Sequence, residues 1–303
     1  MTFEDVEKAR KKYKRKLIIT ILISLFIVVF IILTSGPSSL VFAILVAVGF
    51  GKINVITDES RYTSAFKKYF VRNALKKVFS DLKYMPESGI SRKAIEKTGM
   101  MHMGDIYSAE DFVSGKYKDI SFKQSDINIK KKIVIGYEDG EPVTCETTIF
   151  NGRWMIFEFN KNFKADVQVC QKGFKNSNSH SSIFSDLKYQ KVQMDSDEFN
   201  KMFSVYAENP HDVFYIITPH IMEGILRLAY ECEDQKIMLC FVDNKLHVGL
   251  YDYKDSFEIS SCLFKIDEEE VNKSILSYIQ KITIFVDELE LDKELFKIKE
   301  KNN

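Results

Sequence analysis

Five histidines, His102, His180, His211, His220 and His247, are the first groups to consider for proton transfer or metal ligation in this chain. None has a histidine four residues along a helix and none accompanies a Cys-x-x-Cys pair, the spacings that build a zinc site. His211 and His220 flank a strand end and a helix start, a weak arrangement for ligation. Met100-Met101-His102-Met103 offers soft donors of the kind that hold Cu(I), but methionine also fills irregular apolar segments, and that reading is preferred. Cys232 and Cys240 stand eight residues apart on a helix end and a strand, without metal-site spacing. Together with Cys145, Cys170 and Cys262 they form an odd set of single cysteines, read as reduced core thiols. The acidic pairs Glu110-Asp111 and Glu268-Glu269 read as solvated neighbours, and Lys130-Lys131-Lys132 as an exposed strand edge. Glycine motifs that cradle phosphate and the Gly-x-Ser-x-Gly elbow do not occur. The sequence therefore names no catalytic, cofactor-binding or metal residue. An enzyme would need a site assembled from dispersed acids and histidines.

The elements that would position any such site begin with charge. The 303 residues carry 43 basic and 43 acidic side chains, but residues 1–100 hold 18 basic and 8 acidic, and residues 101–303 hold 25 and 35. The two ends present opposite fields, so a partner for one need not suit the other. This balance excludes a basic nucleic-acid coat, and no nucleic-acid partner is expected. Residues 17–51 contribute 25 apolar residues in 35, and the remainder keeps enough apolar content for a core.

Leu17 to Leu33 is free of charge, and as a helix it reaches about 25 Å, near the lower limit for crossing a bilayer. Ser35-Gly36-Pro37-Ser38-Ser39 supplies a turn, and a second apolar run, Leu40 to Gly51, continues through Lys52 to Ile56. The pair reads as a transmembrane helical hairpin over residues 17–57. Lys8, Arg10, Lys11, Lys12, Lys14, Arg15 and Lys16 precede it within a basic N-terminus, 1–16, and basic residues follow it, while the turn has none. Positive flanks belong inside, which places both termini in the cytoplasm of a cell-membrane protein with two crossings.

Residues 58–84 read as a basic amphipathic juxtamembrane helix, with Tyr62, Phe66, Phe70, Ala74 and Val78 on one face. Lys67, Lys68, Arg72, Lys76 and Lys77 on its other faces are the candidates for contact with the membrane surface, at about 1 kcal/mol per basic residue. Residues 85–303 read as a cytoplasmic α+β domain, a mostly antiparallel sheet packed with helices, either one body or two halves meeting near 171–182. A short helix falls at Ser91 to Lys97, strand-like runs fill Gly115 to Val169, and Asp139-Gly140 and Asn151-Gly152 read as hairpin turns. Gln171 to Ser182 reads as a polar loop. A strand beginning at Phe203 breaks at Asn209-Pro210, and a helix capped by Thr218 runs from Pro219 to Glu231. Ile237 to Val242 and Leu246 to Tyr251 form a hairpin, and Asp267 to Leu289 a closing helix. The hexapeptide Phe-Ser-Asp-Leu-Lys-Tyr at 79–84 and 184–189 reads as coincidence, since its flanks do not match.

The segments Tyr69 to Tyr84, Tyr107 to Phe122, Thr148 to Phe163, Phe199 to Leu226 and Ile237 to Tyr251, with Ile217-Thr218-Pro219 and Met222-Glu223 the most specific, resemble the bacterial membrane-protein family known as domain of unknown function 3137. The resemblance covers about residues 60–290. It implies no reaction and no catalytic residue. It implies a membrane-associated partner of the LemA type. The expectation is a membrane-anchored cytoplasmic binding or scaffolding protein, without enzymatic activity, that meets the lipid bilayer and a protein partner. The alternatives are the enzyme of dispersed acids and histidines or a lipid-sensing pleckstrin-like module.

Overall fold

The computed structural model describes residues 1–138, 140–159, 162–163, 166–173, 189–232, 235–253, 257 and 261–291. Two compact units result, Met1–Lys77 with Phe257–Leu276, and Val78–Ser256 with Ser277–Asn303.

In the first unit α1 (Phe3–Ser35) begins with a reciprocal cap, Thr2 accepting from the Asp5 N–H while the Asp5 carboxylate accepts from the Thr2 N–H. Gly36, at φ +79°, ends it in a conformation that disfavours other residues, and a 3-10 turn (Pro37–Ser39) leads to α2 (Leu40–Phe66). The helices run antiparallel: the Ser24 hydroxyl donates to the Ala47 carbonyl, and the rings of Tyr13 and Tyr62 lie 6.2 Å apart. Leu22, Phe26, Leu33, Val41, Phe42 and Leu45 remain exposed along both. Towards their polar ends the Asp58 carboxylate is almost wholly buried, 3.0 Å from both Lys12 and Lys16. Those two ammonium groups, Lys16 foremost, hold its pKa below the ordinary carboxylate range. Arg10, paired with Glu7, donates to the carbonyls of Cys262 and Phe264, and Lys14 to that of Leu263, which ties residues 262–264 to α1.

The expected boundary at residue 58 is not where the chain changes. No Gly or Pro occurs between Lys52 and Val78, so nothing stops α2, which passes through Arg61 into a π-helical turn (Lys67–Val71) and then α3 (Arg72–Val78). The helix also ends earlier than expected, because Ser80–Met85 is strand β1.

The second unit is α+β. Its remaining strands are β2 (Ile106–Tyr117), β3 (Ile120–Glu138), β4 (Glu141–Glu158), β5 (Val167–Gln171), β6 (Gln190–Val192), β7 (Phe203–Ala207), β8 (Lys236–Val242) and β9 (Lys245–Tyr251). They form one sheet in the order β1-β2-β3-β4-β9-β8-β5-β7-β6, with every neighbouring pair antiparallel. Strands before and after residues 171–182 thus share a sheet. The polar loop beyond Gly173, most of the second hexapeptide copy and Asp139 of the Asp139-Gly140 turn lie outside the described residues. The helices are α4 (Arg92–Glu96), α5 (Asp197–Met202), α6 (Pro210–Ile216), α7 (Pro219–Glu231) and α8 (Glu268–Glu288), whose first turns belong to the first unit. Thr218 caps α7 as its sequence requires, accepting from the Ile221 N–H. Neither α5 nor α6 is expected from the residue pattern.

Asn151-Gly152 is not a turn. β4 runs straight through it, and Gly152 is there because a Cβ would sit 2.0 Å from the Leu250 carbonyl of neighbouring β9. One face of the sheet buries Ile127, Ile129, Trp154, Ile156, Cys170, Met238 and Cys240 beneath Ile90, Ile95, Met100, Met101 and Met103, so these methionines are core. Here the Trp154 indole N–H donates to Nδ1 of buried His247 at 3.2 Å.

Burial pushes His247 down to about 4 from an ordinary 6.5, and the indole donor suits only the neutral ring. Its folded pKa lies below its unfolded one, so stability is complete above pH 6.5 and declines as pH falls towards 4, by up to about 3 kcal/mol. The denaturation midpoint of the full chain in detergent, followed by emission of Trp154, the single tryptophan, is expected to drop across that window. His247→Gln should lose that part of the slope. Parallel pH profiles for the two proteins would refute the assignment.

Candidate functional site

The opposite face of β2, β3 and β4 carries a block of polar side chains fixed by register. Glu110 on β2 stands opposite Asp126 on β3, which stands opposite Arg153 on β4; one step along, Ser108, Asn128 and Asn151 repeat the alignment. Because side chains alternate between faces, residues two apart on each strand share one face, and directly opposed Cβ atoms lie about 5 Å apart. Asp126 and Arg153 are buried. Arg153 donates to the Tyr278 carbonyl at 3.0 Å, and its guanidinium lies 5.0 Å from the centre of the Tyr278 ring.

Over this block opens a cavity of about 440 Å³, with polar lining from Glu87, Ser108, Glu110, Asp126, Asn128, Asn151 and Tyr253. Two local devices bring in the residues that the strands do not supply. A bulge interrupts β2 after Glu110, leaving Asp111 at φ +54°, fully buried, with its carboxylate accepting from the Tyr84 hydroxyl at 2.6 Å. The Asp111 N–H donates to the Pro86 carbonyl and the Phe112 N–H to the Ser88 carbonyl, which stitches residues 86–89 to the bulge and sets Glu87 at the rim. Gly89 permits this, since a Cβ there would lie 2.2 Å from that of Ala109. At the other end the Asn151 carbonyl accepts from the N–H groups of Asp252 and Tyr253, which bends the chain leaving β9 over the cavity. The hydroxyls of Tyr251 and Tyr253 are hydrogen-bonded, and burial raises the Tyr251 pKa, so that phenol stays protonated.

The lining is rich in acceptors. It contains three carboxylates, and Oδ1 of Asn128 is buried without a hydrogen-bond partner. Among the described residues no histidine or cysteine lines it. Among the described residues no three of His, Cys, Asp and Glu converge as metal ligands. Such a surface can receive a cation or a ligand with several hydrogen-bond donors.

Of the groups singled out in the sequence, Glu110 lines the cavity; the others lie elsewhere. Lys67 is buried, so it cannot meet lipid headgroups; Lys68, Arg72, Lys76 and Lys77 are exposed. The backbone N–H of His211 donates to Asn209, His220 pairs with Glu290 at 2.7 Å, and His102 accepts from the Gly104 N–H. The five cysteines are free, four of them buried. Asp111, read as solvated, is buried. Lys130-Lys131-Lys132 pairs with β4 on one side; β2 reaches only Lys130 on the other, and Lys131 and Lys132 are exposed at that edge, as read from the sequence. What the sequence did carry, unnoticed, was the run of polar residues Gln124, Asp126 and Asn128 at period two on β3.

Residues 148–291 match the model of the family described as "Protein of unknown function (DUF3137)". The match includes Asn151 and Tyr253 of the cavity but leaves out β2, all of β3, the first residues of β4, and the earlier resembling segments Tyr69 to Tyr84 and Tyr107 to Phe122. No curated protein matches the chain. Among solved structures, the crystal structure of the mycobacterial trehalose monomycolate transport factor A is similar, with 10% identity and a TM-score of 0.36, over 74% of this chain and 94% of that one.

The bulge is the part of the site most open to mutation. Asp111→Ala is expected to cost about 3 kcal/mol, combining left-handed backbone strain with a Tyr84 hydroxyl deprived of its acceptor. Asp111→Asn keeps both the backbone tolerance and an acceptor oxygen, and should cost about 1 kcal/mol. Equal denaturation midpoints for the two variants would contradict this account.

Proposed function

We propose that this chain, which over residues 148–291 belongs to the DUF3137 family, is a membrane-anchored binding protein whose cavity takes ammonium groups from a basic segment of a partner. The lining carries the proposal: the carboxylates Glu87, Glu110 and Asp126 with the unpaired Asn128 oxygen. An ammonium group brings hydrogen-bond donors and a positive charge that match three carboxylates.

The anchor is α1 and α2, two helices long and apolar enough to cross a bilayer, whose apolar side chains are exposed. Basic flanks around an uncharged turn favour two crossings with both termini in the cytoplasm, and the free thiols agree with a reducing compartment. The LemA-type membrane protein implied by the family resemblance is the first partner to try. The facing of Glu110 and Asp126 also favours a second reading, in which the two acids work on a bound substrate.

The test is calorimetry of the full chain in detergent against a lysine-rich peptide and its lysine-acetylated form. Only the unmodified peptide should bind, and Glu110→Gln and Asp126→Asn should each weaken it about tenfold, about 1.4 kcal/mol. Alanine at Lys68, Arg72, Lys76 and Lys77 together should leave peptide binding unchanged; if those four instead control binding to anionic liposomes, the protein is the lipid-sensing module. Undiminished peptide binding in both acid variants would reject the cavity, and chemical turnover would mark the enzyme. A C-terminus accessible from outside intact cells would reject the hairpin topology.

A further inference from the structure

β3 and β4 outrun their neighbours. β2 is registered on β3 only as far as Ile106 opposite Lys130, where Asp105 closes the edge by donating its N–H to the Lys130 carbonyl and accepting from the Lys132 N–H. β9 is registered on β4 only as far as Tyr251 opposite Gly152. Beyond these points, among the described residues, the two strands pair only with each other, from Lys131 opposite Thr147 to Glu138 opposite Glu141. At about 3.3 Å per residue this ribbon projects roughly 25 Å. Ile133, Val134, Ile135, Tyr137 and Val143 on it are all exposed, Ile135 at 64% and Tyr137 at 73%. A two-stranded ribbon has little stability of its own, and an apolar one left in water invites association.

Its charges say with what. Lys131 and Lys132 stand at the base, Glu138 and Glu141 at the tip, and none of the four makes an ion pair among the described residues. The acids at the tip oppose insertion into a bilayer. Laid antiparallel on an identical strand about a twofold axis at Val134, with Ile135 the extra residue of the β3 irregularity, each Lys131 faces the Glu138 of the other copy, and each Lys132 faces Tyr137. A parallel alignment would set lysine on lysine. The lysines and the irregularity near Ile135, usual guards against indiscriminate edge pairing, leave this one register favourable.

We propose that the ribbon is a dimerisation arm, its occupant the same ribbon of a second copy in antiparallel alignment. The full chain purified in detergent should be dimeric by light scattering. Ile135→Glu should raise the dimer dissociation constant at least tenfold, and Lys131→Glu and Glu138→Lys should each do so alone. An equimolar mixture of the two charge-reversed chains should form heterodimers, and the chain carrying both reversals should dimerise again. These residues are exposed, and unchanged Trp154 emission will show that each variant is folded. A monomeric wild-type chain, a dimer indifferent to all three substitutions, or a failure of the mixture to restore pairing would each overturn the proposal.

Discussion

The sheet depends on the contact between β4 and β9. Register on β3 is local, reached through a short connection, whereas β9 arrives from about ninety residues later and must find Gly152 opposite Tyr251 through Glu158 opposite Lys245. That seam joins the meander β1 to β4 to the group β9, β8, β5, β7 and β6. Two glycines make it feasible. Gly152 lets the Leu250 carbonyl close in, and Gly249 lies directly opposite Trp154, where a Cβ would stand 2.8 Å from the indole ring. The fully buried indole then spans the seam and spends its one donor on His247 of β9. Large apolar burial and one satisfied polar group thus hold at the same place the two halves that the chain makes separately.

Unequal strand lengths at that seam generate both functional features. β4 has 18 residues and β9 has 7; β3 has 19 and β2 has 12. Where β9 leaves β4 after Tyr251, Asp252 and Tyr253 bend over the polar block at the cavity. Further along, where β2 also stops, both edges are bare and the ribbon stands alone. The cavity and the projecting ribbon are consecutive stretches of the same two strands, distinguished by how many neighbours remain among the described residues.

What was legible in the sequence was what local physics determines. Thr218-Pro219 announced α7 through a cap and a preset φ, and the alternation on either side of Asp243-Asn244-Lys245 announced β8 and β9. Asn151-Gly152 misled because the residue that permits a tight turn also permits a close neighbour, and only tertiary structure distinguishes the two. The basic helix was legible in its pattern, but not the π-helical turn that buries Lys67. The site was nearly illegible, since Glu110, Asp126 and Arg153 are separated in sequence and meet only through register. Its one trace was the polar alternation Gln124, Asp126, Asn128.

That alternation is costly to the fold, which bears on its meaning. Gln124 is fully buried, and neither its amide nitrogen nor its amide oxygen has a hydrogen-bond partner. An unsatisfied buried polar group costs about 1–3 kcal/mol, and a methionine of similar volume would remove that penalty. Asp126 and Arg153, two charged groups drawn into the same layer, add the expense of desolvation, which their attraction only partly offsets. Stability alone would select an apolar row here, as it does on the opposite face of the same strands, where Ile127 and Ile129 lie in the tryptophan core. Asp126 and Asn128 border the cavity, and that is a better explanation of their place in the row than the sheet they burden, whereas Gln124 lies outside the lining and the structure gives it no such reason.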